Sequence, residues 1–124
     1  MTLPVSALGR VVGHLLPPGA SVTLMLDPAR MVRLAGTDPA LILPWPVRCT
    51  TDDTGTLVDA QDRPWVDLLA TDAADVDPAD RPFRWRAIVS GAAFMRVTWV
   101  FEVPAGQITD LAAGLSVALA EGRV

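Results

Sequence analysis

Phe83-Arg-Trp-Arg-Ala-Ile-Val89 and Met95-Arg-Val-Thr-Trp-Val-Phe-Glu-Val103 are the two stretches that decide the fold. In the first, Phe83, Trp85, Ala87 and Val89 alternate with Arg84 and Arg86; in the second, Met95, Val97, Trp99, Phe101 and Val103 alternate with Arg96, Thr98 and Glu102. Side chains in a strand point to opposite faces at every step, so each stretch has one apolar and one polar face, as a half-buried antiparallel strand requires. Ser90-Gly-Ala-Ala93 connects them, and the pair reads as a hairpin with its aromatic side inward and Arg84, Arg86 and Arg96 outward.

Further strands read outward from this hairpin. Val22–Leu26 and Arg30–Leu34 are short β-prone runs around Asp27-Pro-Ala29, which reads as the turn of a second hairpin. Leu43, Trp45, Val47 and Cys49 alternate inward against Pro44, Pro46, Arg48 and Thr50, and the prolines, lacking an N–H, mark an edge strand or a strand entry. Thr51–Gly55 reads as a turn before a short strand at Thr56–Val58, and Trp65–Leu69 suits a strand or a helical turn. Thr71–Pro82 shows no apolar period and reads as an exposed loop whose Asp residues confer solubility. At the end, Leu111, Leu115 and Leu119 follow Thr109 as N-cap, so both a short helix and an extended tail fit.

Eleven Pro and nine Gly interrupt the chain every few residues and leave little room for long helices. A chain of 124 residues buries roughly two-thirds of its unfolded surface in one core. The expectation is therefore one all-β domain over residues 1–124, an antiparallel β-sandwich of about seven short strands with immunoglobulin- or transthyretin-like architecture. An apolar arm at about 1–10 and a tail at about 112–124 flank it, and a short C-terminal helix is compatible with this plan.

Charge and composition exclude several classes. The net charge is −4, and it is segregated: residues 50–80 hold nine Asp and one Arg, while the flanks are each slightly basic. That balance repels a phosphate backbone, and the arginines do not form a stripe, so no nucleic-acid partner is expected. Mean hydropathy is +0.36, but Pro17, Pro18, Asp27 and Pro28 break the longest apolar run, so no membrane insertion is expected. No basic cluster precedes an apolar stretch with a cleavage site, so no signal peptide is expected.

Catalytic constellations are missing as well. His14 is the only histidine, and Ser6, Ser21, Ser90 and Ser116 lack a nucleophile-elbow setting. Cys49 falls on the inward side of its strand, where it acts as a small hydrophobe. Asp52, Asp53, Asp59, Asp62 and Asp67 lie in turns without a glycosidase framework. Asp72, Asp75, Asp77 and Asp80 have the density of a calcium loop but not its order, and Pro78 restricts the wrap. The chain reads as a non-enzyme with no cofactor and no metal.

Phe83–Gly91, then Trp99-Val-Phe-Glu-Val-Pro-Ala-Gly106, then Thr109-Asp-Leu111 form an ordered series. Gly9-Arg-Val-Val-Gly13, Leu41-Ile-Leu-Pro-Trp-Pro-Val47 and Asp52-Asp-Thr-Gly-Thr-Leu57 precede it. This order resembles the small β domain of minor tail, tail-fibre and baseplate proteins of siphophages that infect actinobacteria, over most of residues 9–111. The resemblance implies a structural virion protein of the distal tail or baseplate, made in the host cytoplasm. Members often continue into collagen-like repeats or receptor-binding domains, so a chain closing at Val124 is expected to be a connector or decoration.

The implied partners are other tail or baseplate proteins and further copies of the chain, as a trimer or higher oligomer set by tail symmetry. The interface is expected at Leu3, Val5, Leu8 and Val11 of the arm and at Leu115 and Leu119 of the tail, which are more apolar than solvated termini need. These segments would extend a neighbour's sheet or fill its grooves. The alternative is a carbohydrate-binding or adhesin-like receptor-binding module, recognising a host-surface glycan through Trp65 and the acidic loop at Asp75 and Asp77.

Overall fold

The computed structural model describes residues 7–35, 40–91 and 94–121. These residues are mostly β, and among them are ten strands in three sheets and one C-terminal helix. The strands are β1 (Leu8–Val12), β2 (Ser21–Asp27), β3 (Val32–Leu34), β4 (Ala40–Ile42), β5 (Val47–Thr51), β6 (Leu57–Val58), β7 (Val66–Leu69), β8 (Arg84–Gly91), β9 (Phe94–Phe101) and β10 (Ile108–Asp110), followed by α1 (Leu111–Ala120). The count exceeds seven because several of these strands are only two or three residues long.

The hairpin read from alternation is β8 and β9, with Ala87 opposite Trp99 and Val89 opposite Val97. Phe83, Trp85, Ala87, Val89, Val97, Trp99 and Val103 are buried, while Arg84, Arg96 and Glu102 are exposed, as the period-two pattern demands. Ala92 and Ala93 of the connection, and the side chain of Met95, lie outside the described residues. Ser90 and Gly91 extend β8.

The five-stranded sheet has the order β6-β5-β2-β8-β9, and the three-stranded sheet the order β10-β1-β7. All pairings are antiparallel except β1 with β10, a parallel pair formed after the chain has crossed between the sheets. Trp85 of the larger sheet donates its indole N–H to the Leu69 carbonyl of β7 at 2.9 Å, which ties the two sheets together. The core also holds Val11, Val22, Leu24, Leu57 and Leu111, all essentially inaccessible to water.

Several expectations change. The Val22–Leu26 and Arg30–Leu34 runs do not form a hairpin with each other. β2 is central, flanked by β5 and β8, and its seven-residue pairing with β8 cannot be matched by the three-residue β3, which pairs with β4 instead. β5 is internal, not an edge, and Pro44 and Pro46 stand before it as strand entry. Leu43 and Trp45 are exposed instead of inward; only Val47 and Cys49 of that series turn toward the core. Trp65–Leu69 is a strand from Val66 onward.

The arm and tail are also structured where they are described. Residues 8–10 belong to β1, the central strand of its sheet, and the tail is the helix α1. Asp110, not Thr109, caps the helix: its carboxylate accepts the Ala112 N–H at 2.9 Å. Leu111, Leu115 and Ala118 are buried and Leu119 is 55% exposed, because at about 100° per residue Leu119 has rotated off the face shared by the other three. Gly114 lets the helix close on the sheet, since a Cβ there would lie 2.3 Å from the Trp99 indole nitrogen.

The turn after β5 is built around Asp52, whose carboxylate accepts the Thr54 and Thr56 N–H groups at 2.9 Å each. These bonds, that of Thr56 foremost, hold the Asp52 carboxyl below the usual carboxylate range. Gly55 completes the turn at φ +81°, and a Cβ there would lie 2.2 Å from the Leu16 carbonyl oxygen. That contact fixes the Gly13–Pro18 loop, because Leu16 donates its N–H to the Gly55 carbonyl at 3.0 Å.

Candidate docking surfaces

Two apolar surfaces stand out. The first lies where the Gly13–Pro18 loop meets α1, an open groove of about 700 Å³ lined by His14, Leu15, Pro17, Ser116 and Leu119. Leu15 is 91% exposed, and it sits at φ +58°, the left-handed region that costs a leucine roughly 1–2 kcal/mol. The second lies on the β3–β4 ribbon. Its register sets Val32 opposite Ile42 and Arg33 opposite Leu41, so Met31, Leu41, Leu43 and, beyond them, Trp45 follow one alternation away from the buried Val32 and Leu34. Trp45 is 72% exposed between its two prolines.

The expected interface residues divide. Leu3 and Val5 lie outside the described residues. Leu8 is half-buried and Leu119 exposed, so both remain accessible to a neighbour. Val11 and Leu115 correct the expectation: they are buried in the chain's own core, since β1 is central to its sheet and α1 packs Leu115 inward. Leu15, Met31, Leu41 and Trp45 were missed as surface residues. The loop at 13–18 has no period to show which way Leu15 points, and the exposure of Trp45 depends on where β5 begins.

The expected ligand surface is not one place. Trp65 lines a groove of about 480 Å³ with Arg48, Asp59, Arg63 and Asp67. The guanidinium of Arg10 lies 4.7 Å from the centre of the Trp65 ring and that of Arg63 6.0 Å. Arg10 is fixed by Asp67, its cross-strand neighbour, at 3.0 Å, and Arg63 by Asp59 at 2.8 Å. Burial pushes the Asp59 carboxyl up, and bonds from Arg63 and Gln61 more than offset this, so it titrates below the usual carboxylate range.

Asp75 and Asp77 lie elsewhere, against β3. Ala35 donates its N–H to the Asp75 carbonyl, Asp77 donates its own to the Arg33 carbonyl, and Leu34 forms a bridge to Val76. Thr71–Pro82 is accordingly not a wholly exposed loop: Ala73 and Val76 are buried, and Pro78–Asp80 forms a 3-10 turn capped by Asp77. Asp80 is 3% exposed. Its carboxylate accepts the Arg33 backbone N–H at 2.8 Å and the Arg33 guanidinium at 3.1 and 3.2 Å, with Arg30 at 3.5 Å. Arg33 foremost holds the Asp80 carboxyl below the usual carboxylate range.

The Asp72 carboxylate accepts the Ala105 N–H at 2.8 Å, that of Asp77 the Ala79 N–H at 2.9 Å, and Asp77 shares the Arg33 guanidinium with Asp80. No cluster of three or more His, Cys, Asp or Glu suited to a metal occurs among the described residues. His14 is exposed at the rim of the α1 groove. The Cys49 thiol is buried, and burial, with the nearby Asp59 charge, pushes it up to about 11. No helix among the described residues is long and apolar enough to cross a membrane.

No family model, curated protein or solved structure matches this chain.

Proposed function

We propose that the protein is a structural docking module, a β-sandwich formed by the three- and five-stranded sheets. We place it among the minor tail or baseplate components of a siphophage, present in several symmetry-related copies against other tail proteins. The observation that carries the docking reading is Leu15. A leucine almost wholly in water and in a left-handed conformation is unfavourable on both counts, and residues held this way are characteristic of contact sites. The exposed apolar row ending in Trp45 supplies a second contact face. The virion assignment is supported by the motif order, and mass spectrometry of purified particles tests it: absence of the polypeptide from intact phage would overturn it.

Leu15→Gly separates docking from folding. Glycine accepts the left-handed backbone, so the variant is expected to melt a few degrees higher, for a gain of about 1 kcal/mol. The same change removes the apolar side chain and is expected to weaken incorporation into particles. A lower melting temperature in calorimetry, or unaltered incorporation, would count against the role assigned to Leu15.

The saccharide-binding reading retains one supporting observation, the groove beside Trp65, although Arg10 already stacks on that ring. Calorimetric titration with host-surface glycans tests it; binding that disappears with Trp65→Ala would promote it over docking.

A further inference from the structure

The groove beside Trp65 has its hydrogen-bond acceptors engaged and several of its donors spare. Both oxygens of Asp67 accept from Arg10, at 3.0 and 3.4 Å. One oxygen of Asp59 accepts the backbone N–H groups of Gln61 and Arg63 at 2.8 and 2.9 Å, and the other accepts Nε of Arg63 at 2.8 Å. The Gln61 side-chain oxygen accepts from Arg63 at 3.3 Å. Against this, Nη1 of Arg10 and of Arg63 makes no hydrogen bond among the described residues. Arg48 lines the same groove and is exposed, and its side chain takes part in no hydrogen bond or ion pair among the described residues. A site with spare donors and satisfied acceptors suits a ligand that accepts.

Charge narrows the class. Arg10, Arg48 and Arg63 stand against Asp59 and Asp67, which leaves the groove one negative charge short of balance. This local excess adjoins the acidic 50–80 segment, so a polyanion meets repulsion outside the groove that a singly charged ligand largely escapes. At about 480 Å³ the groove is larger than a carboxylate alone fills, and Pro46, Trp65 and Val66 add apolar wall beside the arginines. We infer that it binds a saccharide bearing a single carboxylate, a uronic acid, with the carboxylate on the planar fork of Arg48 and ring hydroxyls accepting from the spare N–H groups of Arg10 and Arg63. Asp67 and Asp59 hold Arg10 and Arg63 in place before a ligand arrives, so little side-chain freedom is lost there on binding.

The inference rests on the saccharide reading for the sugar ring and is independent of docking. NMR titration of the full chain tests it. D-glucuronate is expected to shift the Trp65 indole N–H resonance saturably, less so as salt rises, and to bind about tenfold more tightly than D-glucose or acetate. Arg48→Gln is expected to weaken D-glucuronate about tenfold while circular dichroism stays native, since the side chain has no internal partner to lose. If that variant unfolds, Arg48→Lys replaces it; it keeps the charge, loses the planar fork and is expected to bind several-fold more weakly. Arg96→Gln makes the same change of charge on β9, three strands from β5 in the sheet order, and is expected to alter nothing. Equal affinity for D-glucose and D-glucuronate overturns the carboxylate requirement and leaves the saccharide reading standing, as does a response to neutral host glycans alone. Acetate or tri-glutamate binding as tightly as D-glucuronate overturns both, in favour of a bare carboxylate or an acidic protein segment, and so does silence toward every sugar. D-glucuronate binding that Arg48→Gln leaves intact, or that Arg96→Gln weakens equally, overturns the assignment to this groove.

Discussion

Trp85→Ala is expected to cost about 3–5 kcal/mol, a large part of the stability of a domain this size, and to lower the melting temperature by roughly 15 °C. The indole is 3% exposed, lies between Leu26 of β2 and Phe101 of β9, and reaches across to β7 through its N–H. Truncation thus removes aromatic area from the core and leaves the Leu69 carbonyl without its donor. Trp85→Phe divides the two effects. It keeps most of the packing and loses the hydrogen bond, and it is expected to cost about 1–3 kcal/mol, the penalty for a buried acceptor left unpaired. Urea denaturation of both variants measures this directly. Equal losses for Phe and Ala would mean that the hydrogen bond between the sheets, not the ring, provides nearly all of the stabilisation.

Asp80→Ala is expected to lower the melting temperature by about 5–10 °C, because it removes the buried carboxylate that accepts the Arg33 backbone N–H and the Arg33 and Arg30 guanidiniums. Asp80 is the single acceptor that joins the backbone and guanidinium of Arg33 to the 71–82 segment, with Arg30 alongside. Asp53→Ala, an exposed turn position, serves as the control with little expected change.

The same site gives a pH dependence of defined sign. The folded Asp80 carboxyl titrates below the unfolded value of about 3.9. The folded state therefore binds fewer protons than the unfolded one in that range, and stability rises with pH there. The contribution of Asp80 is fully present above about pH 4 and is lost as pH falls through its depressed folded value. Asp80→Asn is expected to flatten the acid side of a plot of melting temperature against pH. An unchanged acid limb would show that Asp52 and Asp59, also depressed, account for it.

The apolar faces of β8 and β9 were legible because alternation is a local property: whichever strand lies alongside, Trp85 and Trp99 must turn toward the core. The same holds for the Asp52–Gly55 turn, where side chain and backbone meet within four residues. The inward position of Cys49 follows from the same alternation, and the residue is buried. The docking surface was only partly visible. Leu119 follows from helical rotation once the helix exists, whereas Leu15 depends on a left-handed residue that no neighbour in sequence announces.

By itself, the sequence determined that the chain is mainly β, which faces of its longest strands are apolar, and that the sites common to hydrolases and metal proteins have no matching motif. Tertiary structure alone decided that β2 joins β5 and β8 instead of β3, that Val11 and Leu115 belong to the core, and that Asp80 is a buried anchor instead of a solubilising charge. The physical reason is separation along the chain. Periodicity records which way a side chain points, but the partners of Asp80 lie 47 and 50 residues away, and those that bury β1 are strands at Val66 and Ile108. Such pairings are chosen by the summed fit of whole faces, which no single segment contains.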